Sequence, residues 1–253
     1  MMAANTARRA AEVLQGANMQ AAADRVAALA QQHPSATTDE LVQLLIKRKC
    51  MQAATVGAVT AGTALAPGLG TLAAVTFGMA ADLGLSLKLQ AELILEIAAV
   101  HGNILSQEER SQVLLLLTGV NLGADKALVS AGRQVALRAG RMAAPRSAIK
   151  AIPVAGVLAS AGINLVITYA VGQRAHAYFG QGPEAAADWT AGLRAMTGVD
   201  ELAGWLLDGL LPQMGGMVGK ARASAIAAIA AGRARLSGRG RPALEDGHGD
   251  ADA

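Results

Sequence analysis

"GAVTAGTALAPGLGTLAAVTFGMA" occupies residues Gly57–Ala80. It carries no charge, has glycines at 57, 62, 68, 70 and 78, and is otherwise mostly alanine, valine, leucine and threonine. Three readings fit such a stretch: a loop cradling a phosphate, the core of a helical domain, or a helical hairpin entering a membrane. The phosphate reading rests on Gly68-Leu-Gly70-Thr-Leu-Ala73, a G-x-G-x-x-A match, and on the Gly57–Gly62 spacing of a P-loop. A P-loop needs Lys and Ser/Thr after its last glycine, but Gly62 is followed by Thr63 and Ala64. A dinucleotide loop needs a preceding strand, and "AGTALAP" is alanine-rich and poor in branched residues.

Outward from this stretch the charges thin out. The 32 residues between Lys49 and Asp82 are uncharged, as are the 23 between Lys150 and Arg174. A span needs about 20 apolar residues, so both runs pass on length. Pro67-Gly68-Leu69-Gly70 breaks the first run near its middle, which predicts a hairpin that dips in and returns. Ala54, Ala58, Gly62 and Ala66 recur every four residues, as do Gly70, Ala74 and Gly78. Small residues on one helix face let backbones approach closely. In the second run Gly156 and Ser160 repeat the spacing and Gly162 follows. Gly57, Gly62, Pro67, Gly68, Gly70, Gly78, Gly156 and Gly162 are therefore the candidate packing positions of two glycine-rich hairpins, 54–81 and 151–173.

The composition bounds the function. Hydrophobic residues make up 53% and charged residues 16% of the 253-residue chain, against a usual charged share of about 25%. Aromatics are only 2%, which argues against nucleic-acid binding by base stacking and leaves the aromatic belts of a membrane span nearly missing. The net charge of +3 suits an anionic lipid surface. A lone cysteine, Cys50, excludes an internal disulfide, and His33, His101, His176 and His248 form no HxxxH or HxH pair, so no metal site is read. At the start, Arg8 and Arg9 are not followed by the apolar run of a secretory signal. No catalytic constellation is present, and neither enzyme activity nor a cofactor is expected.

Elsewhere the pattern is helical. Alanine-rich periodicity covers 6–32. Thr37 and Glu40 form a capping box ahead of a helix from about 38 to 66. Lys88, Glu92 and Glu96 line up at i, i+4, i+8 as one polar stripe, read as a solvated face, with Leu85, Leu89, Leu93 and Ile97 beside it. Pairing of that stripe with arginines of the 133–146 run is a further possibility. Ser106 caps the next helix. Residues 125–150 are basic, and Arg133, Arg138, Arg141, Arg146 and Lys150 are the candidate lipid-facing residues. Asp82 directly follows the first uncharged run and Asn164 sits inside the second. A polar group embedded there would be functional by default, so both join Lys88, Glu92 and Glu96 as candidate functional positions. Further amphipathic pieces fall at 184–197 and 200–211, the latter with Asp200 as its N-cap. Positive charge flanks both runs, which fits segments entering and leaving on the cytoplasmic face. The fold class is all-α, a multi-helix bundle. It divides into an N-terminal amphipathic helix (1–32), a helical core (33–179), C-terminal helices (180–236) and a disordered tail (237–253).

Three blocks add a family resemblance: "HPSATTDELVQLLIKRKCMQAATVGAVTAG", "ADLGLSLKLQAELILEIAAVHGN" and "AIPVAGVLASAGINLVITYAVGQRAHAYF". The I-P-V-x-G opening of the third, Asn164 eleven residues after Pro153, and R-A-x-A-Y-F at Arg174–Phe179 resemble the EcsC family of bacterial proteins. The ending is also similar to that of the YcjF-like domain found beside some GTPases. At His101-Gly102-Asn103 the chain departs from the family, which more often has an aromatic-glycine pair followed by an acid. The resemblance implies a hydrophobic, helical bacterial protein named after an operon that encodes an ABC transporter, with no established catalysis and no cofactor. The expectation is a non-enzymatic accessory or interaction protein at the cytoplasmic face of a bacterial membrane, with anionic lipid and a protein as partners. The alternative is a soluble helical protein enclosing a lipid or other apolar ligand.

Overall fold

Two capping boxes start two of the helices. The Thr37 backbone N–H donates to Glu40 Oε2 (2.8 Å) while Glu40 N–H donates to Thr37 Oγ1 (3.3 Å). Ser106 and Glu109 repeat the exchange at 2.9 and 3.3 Å. Each box satisfies two of the backbone donors a helix start leaves unpaired. These contacts come from a computed structural model, which describes residues 16–63, 71–119, 121–143, 152–186 and 198–210. The chain divides into two units, Met1–Gln213 and Met214–Ala253. Every described residue belongs to the first, so residues 211–236 of the expected C-terminal helices and the 237–253 tail lie outside the description.

The described residues form seven helices and no strand, an all-α multi-helix fold. In chain order they are α1 (Met19–Gln32), α2 (Thr38–Thr63), α3 (Thr71–Val100), α4 (Gln107–Gly119), α5 (Asn121–Ala143), α6 (Ile152–Gln181) and α7 (199–210). The first uncharged run falls on α2 and α3, which pack on one another, while residues 64–70 between them lie outside the described residues. The second is not a hairpin. It is one continuous helix, because Pro153 stands in the first turn, where its missing N–H costs nothing, and no breaker follows. Two other expectations shift. The periodicity read over 6–32 gives a described helix from Met19, capped by Asn18, whose Oδ1 accepts from Ala21 N–H at 3.1 Å. Asp200 is not the cap of α7: the Gly198 carbonyl accepts from Leu202 N–H at 2.8 Å, leaving Asp200 inside the first turn.

Helix α6 is the axis of the bundle. It packs against α2, α3, α4 and α5, while α1 and α4 also pack on α3. α7 lies against α2, where Thr55 Oγ1 donates to the Gly209 carbonyl at 3.2 Å, and against α6, where Trp205 meets Tyr169. The core is aliphatic: Leu45, Ile46, Leu93, Ile94, Leu114, Leu165 and Leu206 are among its fully buried side chains. With so few aromatics, density is reached by drawing backbones together at small residues.

Candidate functional site

Two backbone crossings hold α6. A Cβ on Gly57 of α2 would lie 2.6 Å from Asn164 Nδ2 and 2.9 Å from the Ser160 carbonyl oxygen. A Cβ on Gly162 would lie 2.5 Å from the Gly132 carbonyl oxygen, and one on Gly132 would lie 2.5 Å from Ile163 Cα. The small-residue reading is thus right for Gly57 and Gly162 and places Asn164 at a helix crossing. It is corrected at Gly156, where an added Cβ meets nothing within 4 Å. It also missed two positions. Gly132, Ala136 and Gly140 repeat every four residues on α5, the same signal, hidden in a segment read for its charge. Gly172 admits Ile46 and Leu93 against the α6 backbone. Pro67, Gly68 and Gly70 lie outside the described residues. Gly62, Gly78 and Asp82 fall on described helices, but their surroundings lie outside the description.

The polar stripe on α3 is not a solvated face. Lys88 is exposed, Glu92 is half-buried and Glu96 has 2% of its side chain exposed. The neighbouring apolar stripe changes in the same way, from exposed Leu85 to fully buried Leu93 and Ile97. Burial on α3 grows from Leu85 toward its last turns, and α1, α2, α4 and α6 all pack on this helix. There residues 93–98 are buried on every side.

Inside that crowd four charges are matched. Arg25 Nε of α1 donates to Glu96 Oε1 at 2.5 Å. Lys49 Nζ of α2, with only 5% of its side chain exposed, reaches Glu96 Oε1 at 3.2 Å and Glu92 Oε2 at 2.6 Å. Burial pushes the Glu92 carboxyl up. The Lys49 hydrogen bond and charge, with Arg25 and Lys88 behind them, hold it below the usual carboxylate range. The partners of the acids are therefore Arg25 and Lys49, not the arginines of α5. Pairing between residues 43 and 71 positions apart leaves no local sequence signal. A fifth charge, the buried Arg174 of α6, donates to the Leu117 and Ala186 carbonyls at 3.1 Å each, and its burial lowers its proton affinity. These groups are engaged with one another or with backbone, an arrangement that tethers helices.

The basic helix α5 is different. Arg133, Gln134, Leu137, Arg138, Arg141 and Met142 are all exposed, while Leu128, Val135, Ala136 and Ala139 face the bundle. Leu137 is 63% and Met142 53% exposed. Arg138 is not free: its guanidinium forks onto Asp200 at 2.5 and 3.1 Å, an exposed pair that raises its proton affinity through the hydrogen bond and the carboxylate's charge. Arg146 and Lys150 lie outside the described residues. One described helix, over Gly156–Gln181 in α6, is long and apolar enough to cross a membrane, with 44% of its most apolar window buried inside the protein. Its packing against four other helices is equally that of a core helix. A surface groove of about 220 Å³ lined by Leu105, Val113, Leu116 and Tyr178 is smaller than the ~300–1,000 Å³ usual for small-molecule sites.

Comparison with known proteins adds no assignment to this geometry: no family model, no curated protein and no solved structure matches the chain.

Proposed function

We propose that this chain is a non-catalytic helical protein of the EcsC type that docks on the cytoplasmic face of a bacterial membrane, peripherally, through the outer face of α5. The observation that carries the reading is the coincidence of Leu137 and Met142 with Arg133 and Arg141 on that one exposed face. Exposed large apolar side chains beside unpaired cations suit the boundary between headgroups and acyl chains, where the apolar group enters and the cation meets lipid phosphate. Each such cation contributes about 1 kcal/mol near an anionic surface. The apolar run of α6 serves in this reading as the axis of the bundle rather than as a span. Its neighbours on several sides, and the buried Arg174 within it, suit a protein core.

Flotation with vesicles containing phosphatidylserine tests the proposal. Wild type is expected to float with anionic vesicles, to be released by high salt, and to stay behind with neutral ones. The double variant Arg133→Glu/Arg141→Glu is expected to lose flotation while keeping its helical content. Binding that ignores both lipid charge and these two arginines, or a native protein that resists an alkaline carbonate wash, would replace peripheral docking with insertion. No sedimentation with any membrane would overturn the membrane role itself.

A further inference from the structure

Three helix ends meet at two histidines that the sequence holds 75 residues apart. His101 follows the last residue of α3, His176 lies near the end of α6, and Asp39 is in the first turn of α2. His101 Nε2 and His176 Nδ1 are 3.1 Å apart, and His176 Nε2 lies 3.5 Å from Asp39 Oδ1. The backbone aims His101 firmly. Gly102, at φ +74°, donates to the Ala99 carbonyl and Asn103 to the Ala98 carbonyl, a Schellman closure of α3. Across the gap Gly180 leaves room for the ring: a Cβ there would sit 3.1 Å from His101 Cε1.

The contact is a hydrogen bond rather than half of a chelate. The ring centres are 5.3 Å apart, about the N···N distance extended by the two ring radii, so the nitrogens face each other head-on. Their lone pairs do not converge on a third point, and no metal-holding group of three His, Cys, Asp or Glu occurs among the described residues. A gap of this kind holds one proton. In the neutral pair one ring donates and the other accepts. A first added proton leaves an imidazolium donating to an imidazole, with Asp39 facing the outer nitrogen of His176. A second added proton sets two N–H groups against each other, and the bond is lost.

We propose that His101 and His176 form a proton-counting clip that ties the ends of α3 and α6 to the start of α2, closed with at most one added proton and opened by the second. The charged groups bearing on it come from all the elements meeting there. Asp39 favours protonation of His101, and the charge of His176 opposes it. Neighbouring charges are engaged elsewhere: Glu40 on Thr37, Glu109 on Ser106, Arg110 on the Ala17 carbonyl and Arg174 on its two carbonyls. Burial, then the charge of His176, set against the pull of Asp39, leave His101 below the usual imidazole range. The linkage sign follows: the clip's contribution is fully present above the ordinary imidazole value of about 6.5 and is lost as pH falls through the lowered one.

Hydrogen exchange tests this, with protection factors corrected for the intrinsic pH dependence and read for residues 97–103 and 176–182 between pH 7.5 and 5.0. Wild type is expected to lose protection there as the pH falls. In His101→Gln the amide still donates to His176 Nδ1 but cannot take the second proton, and protection should stay flat. Flat protection in wild type, or an equal loss in both proteins, overturns the clip. If His101→Gln does not fold, imidazole ¹⁵N titration of wild type decides. Two separated steps, the second coinciding with the loss of protection, support it, and two independent steps overturn it.

Discussion

Arg25, Lys49, Glu92 and Glu96 lie within the bundle, where α1, α2 and α3 meet; Arg133, Arg138 and Arg141 lie on its surface, along α5. Both sets are charged side chains carried on helices. Inside, two cations meet two carboxylates and every charge has a partner. Outside, Asp200 pairs with Arg138 alone, and Arg133 and Arg141 have no counter-charge among the described residues. A charge removed from water must be matched, because its desolvation is repaid only by a close counter-charge and hydrogen bonds. A charge left in water carries no such requirement and stays available to a partner. The difference assigns the first set to holding helices together and leaves the second to act on something beyond the chain.

The comparison breaks most visibly at Glu96. Glu96→Ala takes away the partner of Arg25 and leaves the buried Lys49 with Glu92 alone, and should cost about 3–5 kcal/mol in urea denaturation. Lys88→Ala, two turns earlier on the same stripe but exposed, should stay within about 0.5 kcal/mol. Equal effects would return the stripe to a solvated face. Gly132→Leu is next. Its Cβ would meet the Ile163 backbone, which cannot swing aside as a side chain can, so overpacking of about 1–3 kcal/mol or more is expected. Gly156→Leu, in open space, should leave the melting temperature unchanged or raise it slightly.

The outer set should show the opposite pattern. Arg133→Ala/Arg141→Ala should weaken binding to anionic vesicles by about 2 kcal/mol, roughly thirtyfold, with no change in urea midpoint. A smaller effect separates the sets by pH. Glu92 has its proton affinity lowered, so its contribution is present above the ordinary carboxylate value and is lost as pH falls through the lowered one. Wild-type stability should therefore decline in acid more steeply than that of Glu92→Gln, and parallel curves would detach Glu92 from Lys49. The smallest change is expected for Asp200→Asn. It unpairs Arg138 on the surface, where solvent screens the interaction, and the melting temperature should not move measurably.

Local grammar made much of the fold legible. The T-x-x-E box names the start of α2, Ser106 names that of α4, and the helical periodicity names the all-α class. Gly57 and Gly162 were readable as packing positions from glycine itself, whose missing Cβ permits close approach, whereas the four-residue spacing singled out Ala54, Ala58, Gly62 and Ala66, and Gly156 with Ser160. Gly132 followed the same rule and was obscured only by the arginines around it. The second uncharged run was misjudged as a hairpin because its glycines, unlike Pro67-Gly68-Leu69-Gly70, stand singly within a helix that tolerates them.

What the sequence by itself determined is therefore the all-α class, the starts of α2 and α4, and some of the small positions where helices press together, since each depends on neighbours within a few residues. Tertiary structure alone decided which face of each helix is inside. It gave the acids of α3 to Arg25 and Lys49, set His101 against His176, and left Leu137 and Met142 in the open. Those outcomes depend on which helices crowd a given turn. A helical period repeats identically whether the turn is surrounded or bare, so it cannot report the burial that distinguishes a matched charge from a free one.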